Sequence, residues 1–272
     1  MRLIPESCTL PIVNPNDPID GSPADLFTQA DWYDRSIDWS ARLRREIPVL
    51  VEVFGLPGKG GILDAGCGTG HQACALAERG YRVVAADVGE EMLEVARRTA
   101  RTASQEVRFV LAPYAALYEK VGDGFDGLYC LGNALAAAGT REAASEAIGQ
   151  FAQCLRAGGR LFIQILNFPL MRARTPCVLG PRVATVDGVE YVSVRELHFV
   201  NDSVNVTNIT LWQDSGWEYR AHTGTLYPVE PDQLQEWCRS SGLRVDKTWG
   251  SYNRKPFEPE RSTDLLIVST RV

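Results

Sequence analysis

This 272-residue sequence predicts an α/β fold built on a doubly wound, mostly parallel seven-stranded sheet. Three observations carry that prediction. Short, nearly continuous apolar runs at 61–65, 82–86, 107–111, 126–131 and 160–166 alternate with stretches of helical spacing, the pattern of buried parallel strands joined by crossover helices. A cluster of glycines, Gly66, Gly68 and Gly70, follows the first run directly. After Pro169 the rhythm changes to period two, broken by "VDGVE", "NDS" and "DSG", which reads as antiparallel hairpins inserted at about 175–230.

The elements follow in order. Residues 1–30, with much Pro, Asn and Asp in the first 24, are expected to be an irregular arm. From about Asp25 to Phe54 the apolar residues Trp32, Ile37, Trp39, Leu43, Ile47 and Leu50 recur at helical steps, and Pro48 is expected to break or kink that helix. Residues 71–79, 90–102 and 141–155 supply crossover helices. Beyond the hairpins come a helix over 231–241 and the strands "LRVDKTWG" and "TDLLIVSTRV", which bring the sheet to seven.

Composition sets bounds on function. A formal net charge of −6, with the arginines scattered, argues against a nucleic-acid surface. The start lacks a continuous apolar segment of signal-peptide length, and no stretch approaches the ~20 apolar residues that span a bilayer. A cytoplasmic protein with no membrane partner is expected. The seven cysteines never form a CxxC pair, and the three histidines, His71, His198 and His222, lack metal-ligand spacing, so no metal site is expected.

The chemistry is concentrated in "ILDAGCGTGHQACALAERGYRVVAADV", residues 62–88. Glycines after a buried strand let the chain turn tightly and let a ligand approach the main chain. Asp87 closes the next run, where a carboxylate can accept both hydroxyls of a ribose. Dinucleotide turns read GxGxxG and abut a pyrophosphate; this one reads GxGxG and is preceded by Asp64. A carboxylate there repels a diphosphate and favours a ligand with a cationic amino end.

"ILDAGCGTG" followed by "VVAADV" resembles the first two motifs of class I S-adenosylmethionine-dependent methyltransferases, whose sheet is Rossmann-like. The likeness continues through "FDGLYCLGNALAAAG", "LRAGGRLFIQILNF" and the last strand, covering residues from about 30 to 272. It implies a methyltransferase domain at 31–272, with S-adenosyl-L-methionine as donor and S-adenosyl-L-homocysteine as product. Asp64 would lie near the donor's amino group, and Ala65, Gly66, Gly68 and Gly70 under its methionine and ribose. Asp87 would bind the ribose, Val88 and Met92 would flank the adenine, and Leu131 would offer backbone contacts near the reactive methyl. Where many relatives carry an acid after the third strand, this chain has Ala112 and Pro113, so the adenine contacts would fall to main-chain groups near Tyr114.

For the acceptor, the residues exclude the Pro-Pro aromatic motif of nucleic-acid amino-methyltransferases after "LYC". "YDRSIDWSARLRREIP", "LGNALAAAG" and the hairpin insertion resemble the small-molecule N-methyltransferases related to the glycine and sarcosine enzymes. The resemblance assigns Tyr33, Trp39 and Arg42 to closure over the donor, Arg42 facing its carboxylate, and assigns Asn133 to the acceptor. It departs at Leu166, where the glycine enzyme has a carboxylate-gripping arginine; Arg172 or Arg174 would have to substitute. Tyr227 and Tyr252 are candidates for an aromatic wall of the acceptor pocket, His71 for shaping the donor pocket, and His198 and His222 for reaching the acceptor. The expected partner is a small-molecule acceptor, and the oligomeric state stays open. Alternatives are O-methylation, a catalytically silent donor-binding protein and a nicotinamide-dependent oxidoreductase.

Overall fold

The computed structural model describes residues 30–272 except 36, 59, 175, 187, 214 and 215. The expected arm, apart from Ala30, and the start of the first helix lie outside the described residues.

The main sheet has seven strands: β1 (Ile62–Ala65), β2 (Val83–Asp87), β3 (Arg108–Leu111), β4 (Phe125–Cys130), β5 (Leu155–Leu166), β10 (Leu243–Trp249) and β11 (Asp264–Arg271). Their order is β10-β11-β5-β4-β1-β2-β3, and β11 alone runs antiparallel to its neighbours β5 and β10. From β1 the chain builds outward to β2 and β3, then returns to lay β4 on the other side. The carboxyl ends of β1 and β4 therefore flank a switch point, where such sheets open a crevice.

Alternation along β1 decides what points where. Leu63 and Ala65 enter one core with Leu128, Phe151 and Ile163, under α6 (Arg141–Cys154) and α8 (Pro231–Ser240). Ile62 enters the opposite core with Tyr129, Phe162, Leu76 and the buried stripe Ile47, Leu50 and Val53 of α2 (Trp39–Phe54). Period two puts Asp64 on that second face, beneath α2 and α3 (His71–Ala77). Each fully buried Leu or Ile of the stripe contributes about 1.5–3 kcal/mol, and that anchorage holds the polar start of α2 over the end of β1.

Several expectations change at the helices. Asp38 caps α2 by accepting from Ala41 N at 2.9 Å, so α1 (Ala30–Arg35) and α2 are separate helices. Pro48 does not break α2; it sits on the exposed side, where the carbonyl it leaves unpaired can turn to water. Helix α4 (Glu90–Thr102) matches its expected span. Two short helices, α5 (Leu117–Val121) and α7 (Phe168–Ala173), were not foreseen. Strand β5 begins earlier than expected because its register against β4 jumps from Phe125↔Leu155 to Gly127↔Arg160, a bulge that Gly158 and Gly159 accommodate.

The period-two segment forms a sheet of its own, an antiparallel meander of β6 (Cys177–Val186), β7 (Val189–Val200), β8 (Ser203–Gln213) and β9 (Trp217–Leu226). The apolar end of its inner face, Leu197, Val204, Val206 and Leu226, packs on Phe168 and Met171 of α7 and on Ala136. Tyr227 N donates to Ala136 O at 2.9 Å. The insertion is thereby fixed beside the loop that follows β4. No helix among the described residues is long and apolar enough to cross a membrane.

Candidate functional site

A cavity of about 160 Å³ lies between the carboxyl ends of the parallel strands and the inner face of the insertion sheet. Tyr33, Gly66, Gly68, Asp87, Met92 and Leu131 line the strand side, together with Asn133. A smaller pocket beside it is lined by Trp39, Arg42, Asp64, Gln72 and Tyr129.

Asp87 is buried at the tip of β2. Its Oδ2 accepts from Gly68 N at 2.8 Å and its Oδ1 from Gly89 N at 2.9 Å. Burial pushes its pKa up, and the backbone N–H groups of Gly89, Gly68 and Val88 oppose that rise. Each oxygen keeps a lone pair for a ligand hydroxyl. Gly68 has φ +53°, and a Cβ there would meet nothing nearer than the Tyr33 ring at 3.8 Å, so the glycine opens main chain to the cavity it lines.

Asp64 is 2% exposed and accepts from the Tyr129 hydroxyl through Oδ2 at 2.7 Å. Burial raises its pKa to about 8, against the Tyr129 hydrogen bond. Above it, Arg42 Nε donates to Glu46 Oε1 at 2.9 Å and Nη1 to the Tyr33 hydroxyl at 3.4 Å. Burial works against the Arg42 charge, but Tyr33 and Glu46 outweigh it and hold its pKa above the ordinary arginine value. Glu46 is itself 1% exposed and accepts from Gln72 Nε2 at 2.9 Å. Trp39 stacks on His71 at 4.1 Å and 13°, while His71 Nε2 lies 2.9 Å from Asp34 Oδ1. Burial resists ionisation of Asp34, yet hydrogen bonds from His71 and Thr69 keep its pKa below the usual value.

Asn133 adopts φ +66° in the turn after β4, a left-handed conformation that Asn tolerates better than most residues. Its Oδ1 accepts from Leu166 N at 2.6 Å, so the amino half of the side chain is available on the cavity it lines.

Other expected site residues lie elsewhere. Val88 is 55% exposed, Pro113 is exposed, and Ala65 and Ala112 are buried; none of the four lines the cavity. Tyr114 is an internal prop, its hydroxyl 3.5 Å from Ala65 O and Cys130 Sγ, and a Cβ on Gly66 would come within 2.5 Å of it. A Cβ on Gly70 would strike Ala96 at 2.9 Å, so that glycine serves helix packing. His71 belongs to the Trp39 stack and His198 is exposed; His222 does line the cavity. Arg172 pairs with Glu230 at 3.4 Å and lies over Phe199, away from the cavity. Tyr227 bonds Gln233, and Tyr252 packs on Phe162 beneath Arg45. The acceptor side is polar instead, with Arg195, Asn208, Thr210, Arg220 and His222.

Glu46 and Gln72 were missed, although a carboxylate within the apolar stripe of α2 is itself a signal of a buried site. Arg195, Asn208 and Arg220 were missed because period two places them on a face without saying what that face covers.

The chain resembles known proteins in sequence and in fold. A family model described as a methyltransferase domain matches residues 62–159. The glycine/sarcosine N-methyltransferase of Parasynechococcus marenigrum (strain WH8102) is 31% identical over 138 residues, 51% of this chain and 49% of that protein, so the match spans about half of the relative's length. The enzyme of the same name from Halorhodospira halochloris is 28% identical over 233 residues, 82% of this chain and 80% of that protein. The solved CcbJ methyltransferase from Streptomyces caelestis shares the fold at TM-score 0.72 and 19% identity, covering 93% of this chain and 98% of its own. Sheet order, glycine turn, paired acids and these likenesses agree in supporting a class I S-adenosylmethionine-dependent methyltransferase, with residues 62–159 matching a methyltransferase domain.

Proposed function

We propose that the protein is an enzyme that methylates the nitrogen of a small-molecule amine. The observation that supports this most is the shared cavity: Asp87 and the Gly68 main chain line one side, and Asn133 with the insertion sheet lines the other. The fit to the donor rests on charge and space. Asp64 suits a cationic amino group, Arg42 a carboxylate, Asp87 a pair of hydroxyls, and Gly68 offers main chain with no Cβ in the way.

When bound, the donor supplies an activated sulfonium methyl group. The residues here then have four tasks. Asp64, Asp87 and Arg42 hold the donor; Met92 and Leu131 cover it with apolar surface; Asn133, fixed by Leu166, orients the acceptor; the insertion sheet excludes water. Positioning of this kind supplies up to about 7–11 kcal/mol. An uncharged amine needs no base to attack, whereas a hydroxyl acceptor needs one. The arginines of the far wall disfavour an ammonium ion there and so favour the free amine. His222 is the wall residue that would have to act as base for a hydroxyl acceptor.

The two readings separate in one experiment. The protein is incubated with S-adenosylmethionine and matched panels of amines and phenols, and S-adenosylhomocysteine and methylated product are quantified. Turnover confined to amines supports N-methylation; turnover confined to phenols, and lost in His222→Ala, replaces it with O-methylation.

A further inference from the structure

Two consecutive residues with left-handed backbone follow β4, Gly132 at φ +68° and Asn133 at φ +66°, and both line the cavity. A Cβ on Gly132 would come within 2.8 Å of Arg42 Nη2, so bare main chain lets the arginine lie against the turn. Two such residues in a row persist only where their surroundings hold them. At the Asn133 end the hold is the 2.6 Å bond from Leu166 N to Asn133 Oδ1. At the Gly132 end it is a side chain of the next strand: Gly132 N donates to Gln164 Oε1 at 2.7 Å.

Gln164, on β5, is 8% exposed. Its amide has an accepting end and a donating end of nearly the same shape. Turned the other way, it would set its NH2 group against Gly132 N–H, and the turn would lose its hold. Asp264, at the start of β11, decides between the two. It pairs with Leu166, two residues along β5 from Gln164 and on the same face, and its Oδ1 accepts from Gln164 Nε2 at 2.7 Å. Its Oδ2 accepts from Thr263 Oγ1 at 3.0 Å. Burial raises the Asp264 pKa, while hydrogen bonds from Thr263 and Gln164 and the charges of Arg45 and Arg182 oppose that rise. A carboxylate only accepts, so Asp264 draws the NH2 end of Gln164 to itself and leaves Oε1 for Gly132.

We propose that Asp264 and Gln164 are positioning residues for methyl transfer: the acid sets which way the Gln164 amide faces, and the amide locks the Gly132–Asn133 turn that orients the acceptor. The inference rests on the proposed role of Asn133 and holds for a nitrogen or an oxygen acceptor alike. Neither Gln164 nor Asp264 lines the cavity, so both act through the turn. Arg42 has its own anchors in Glu46 and Tyr33, and donor affinity is therefore independent of the pair.

The test compares Gln164→Leu, Asp264→Asn, Gln164→Glu and the double swap of Gln164→Glu with Asp264→Asn. The first leaves Gly132 N without an acceptor, the second lets the Gln164 amide face either way, and the third sets two carboxylates together. In the swap the carboxylate moves to position 164, where it accepts from Gly132 N whichever way it turns and takes the amide at position 264 as its second donor. Three quantities are read: hydrogen exchange of the Gly132 amide, kcat with an acceptor that turns over, and calorimetric affinity for S-adenosylhomocysteine; circular dichroism verifies folding. In the single variants kcat should fall at least about fivefold, Gly132 exchange should accelerate, and donor affinity should stay unchanged. The swap should restore kcat and protection together, a coupling that a double-mutant cycle quantifies. Asp264→Asn is isosteric and keeps the comparison decisive even where Gln164→Leu does not fold. Unchanged Gly132 exchange in Asp264→Asn overturns the proposal, as does a swap no better than its single variants. Donor affinity lost in step with kcat makes the pair a general scaffold and overturns it too. Absence of turnover with every acceptor defeats the proposed function, whereas Gly132 exchange that follows the predicted order still supports the lock on the turn.

Discussion

The Tyr129 hydroxyl donates to Asp64 Oδ2 at 2.7 Å, bridging two residues paired in register at the ends of β4 and β1. That bond and the burial around it set the charge state of the acid at the centre of the proposed donor site. With its pKa raised to about 8, Asp64 is mostly protonated at pH 7 in the ligand-free protein. A cationic amino group placed beside it lowers that pKa, so donor binding releases a proton. Donor affinity should therefore rise with pH up to about 8, by at most about tenfold per unit, and then level off. Calorimetry at pH 7 in two buffers of different ionisation enthalpy reads the proton directly; uptake, or no exchange, would count against the assignment.

The same shift has a stability consequence of opposite sense. The folded-state pKa of Asp64 lies above the ordinary carboxylate value of 3.8 because the group is buried, so its contribution is greatest below that value and declines as pH rises toward 8. Asp64→Asn should raise the melting temperature of the ligand-free protein more at pH 8.5 than at pH 5, by roughly 2–4 °C for each kcal/mol recovered. It should also weaken donor binding. Thermal unfolding at the two pH values tests the first half and titration the second.

Asp87 both shapes the glycine turn and faces the cavity. Asp87→Ala should cost about 1–3 kcal/mol of donor affinity through lost charge-assisted hydrogen bonds and should also lower the melting temperature, since Gly68 N and Gly89 N lose their acceptor. Unchanged affinity in a calorimetric titration would defeat the ribose assignment.

Two glycines two residues apart should fail differently. Gly68→Ala meets no protein atom within 3.8 Å, whereas Gly70→Ala meets Ala96 at 2.9 Å. Both pay the left-handed backbone cost of about 1–2 kcal/mol. Only the first should weaken donor binding by more than its effect on stability predicts. Paired melting and binding measurements decide it.

Asn133→Ala removes the acceptor of Leu166 N and strains a residue at φ +66°. Asn133→Gly keeps the backbone relaxed, so comparing the two separates strain from the lost amide. Turnover should fall in both variants by more than donor affinity does; steady-state kinetics alongside donor titration would reveal the opposite pattern.

The α/β body was legible because its signals are local: buried strands read as apolar runs, and GxGxG between Asp64 and Asp87 is contiguous in sequence. Pro48 misled because its effect depends on which side of α2 meets solvent, and solvent takes the orphaned carbonyl. Helices α5 and α7 are one or two turns long, too short to show a period. Val88, Pro113 and Gly70 are near lining residues in sequence but do not line the cavity: the first two are exposed, and Gly70 packs against Ala96. Arg195 became visible only once the insertion had a neighbour, whereas Glu46, a carboxylate inside the apolar stripe of α2, carried a signal in the sequence itself.

The crevice at Asp64, Gly68 and Asp87 is proposed to select a zwitterionic sulfur nucleoside over a diphosphate. Calorimetric titration of the purified protein with S-adenosylhomocysteine, followed by NADH in a separate cell, tests it most directly. Saturable one-to-one binding of the first and none of the second is the predicted result. No heat with S-adenosylhomocysteine, or comparable binding of NADH, would contradict it.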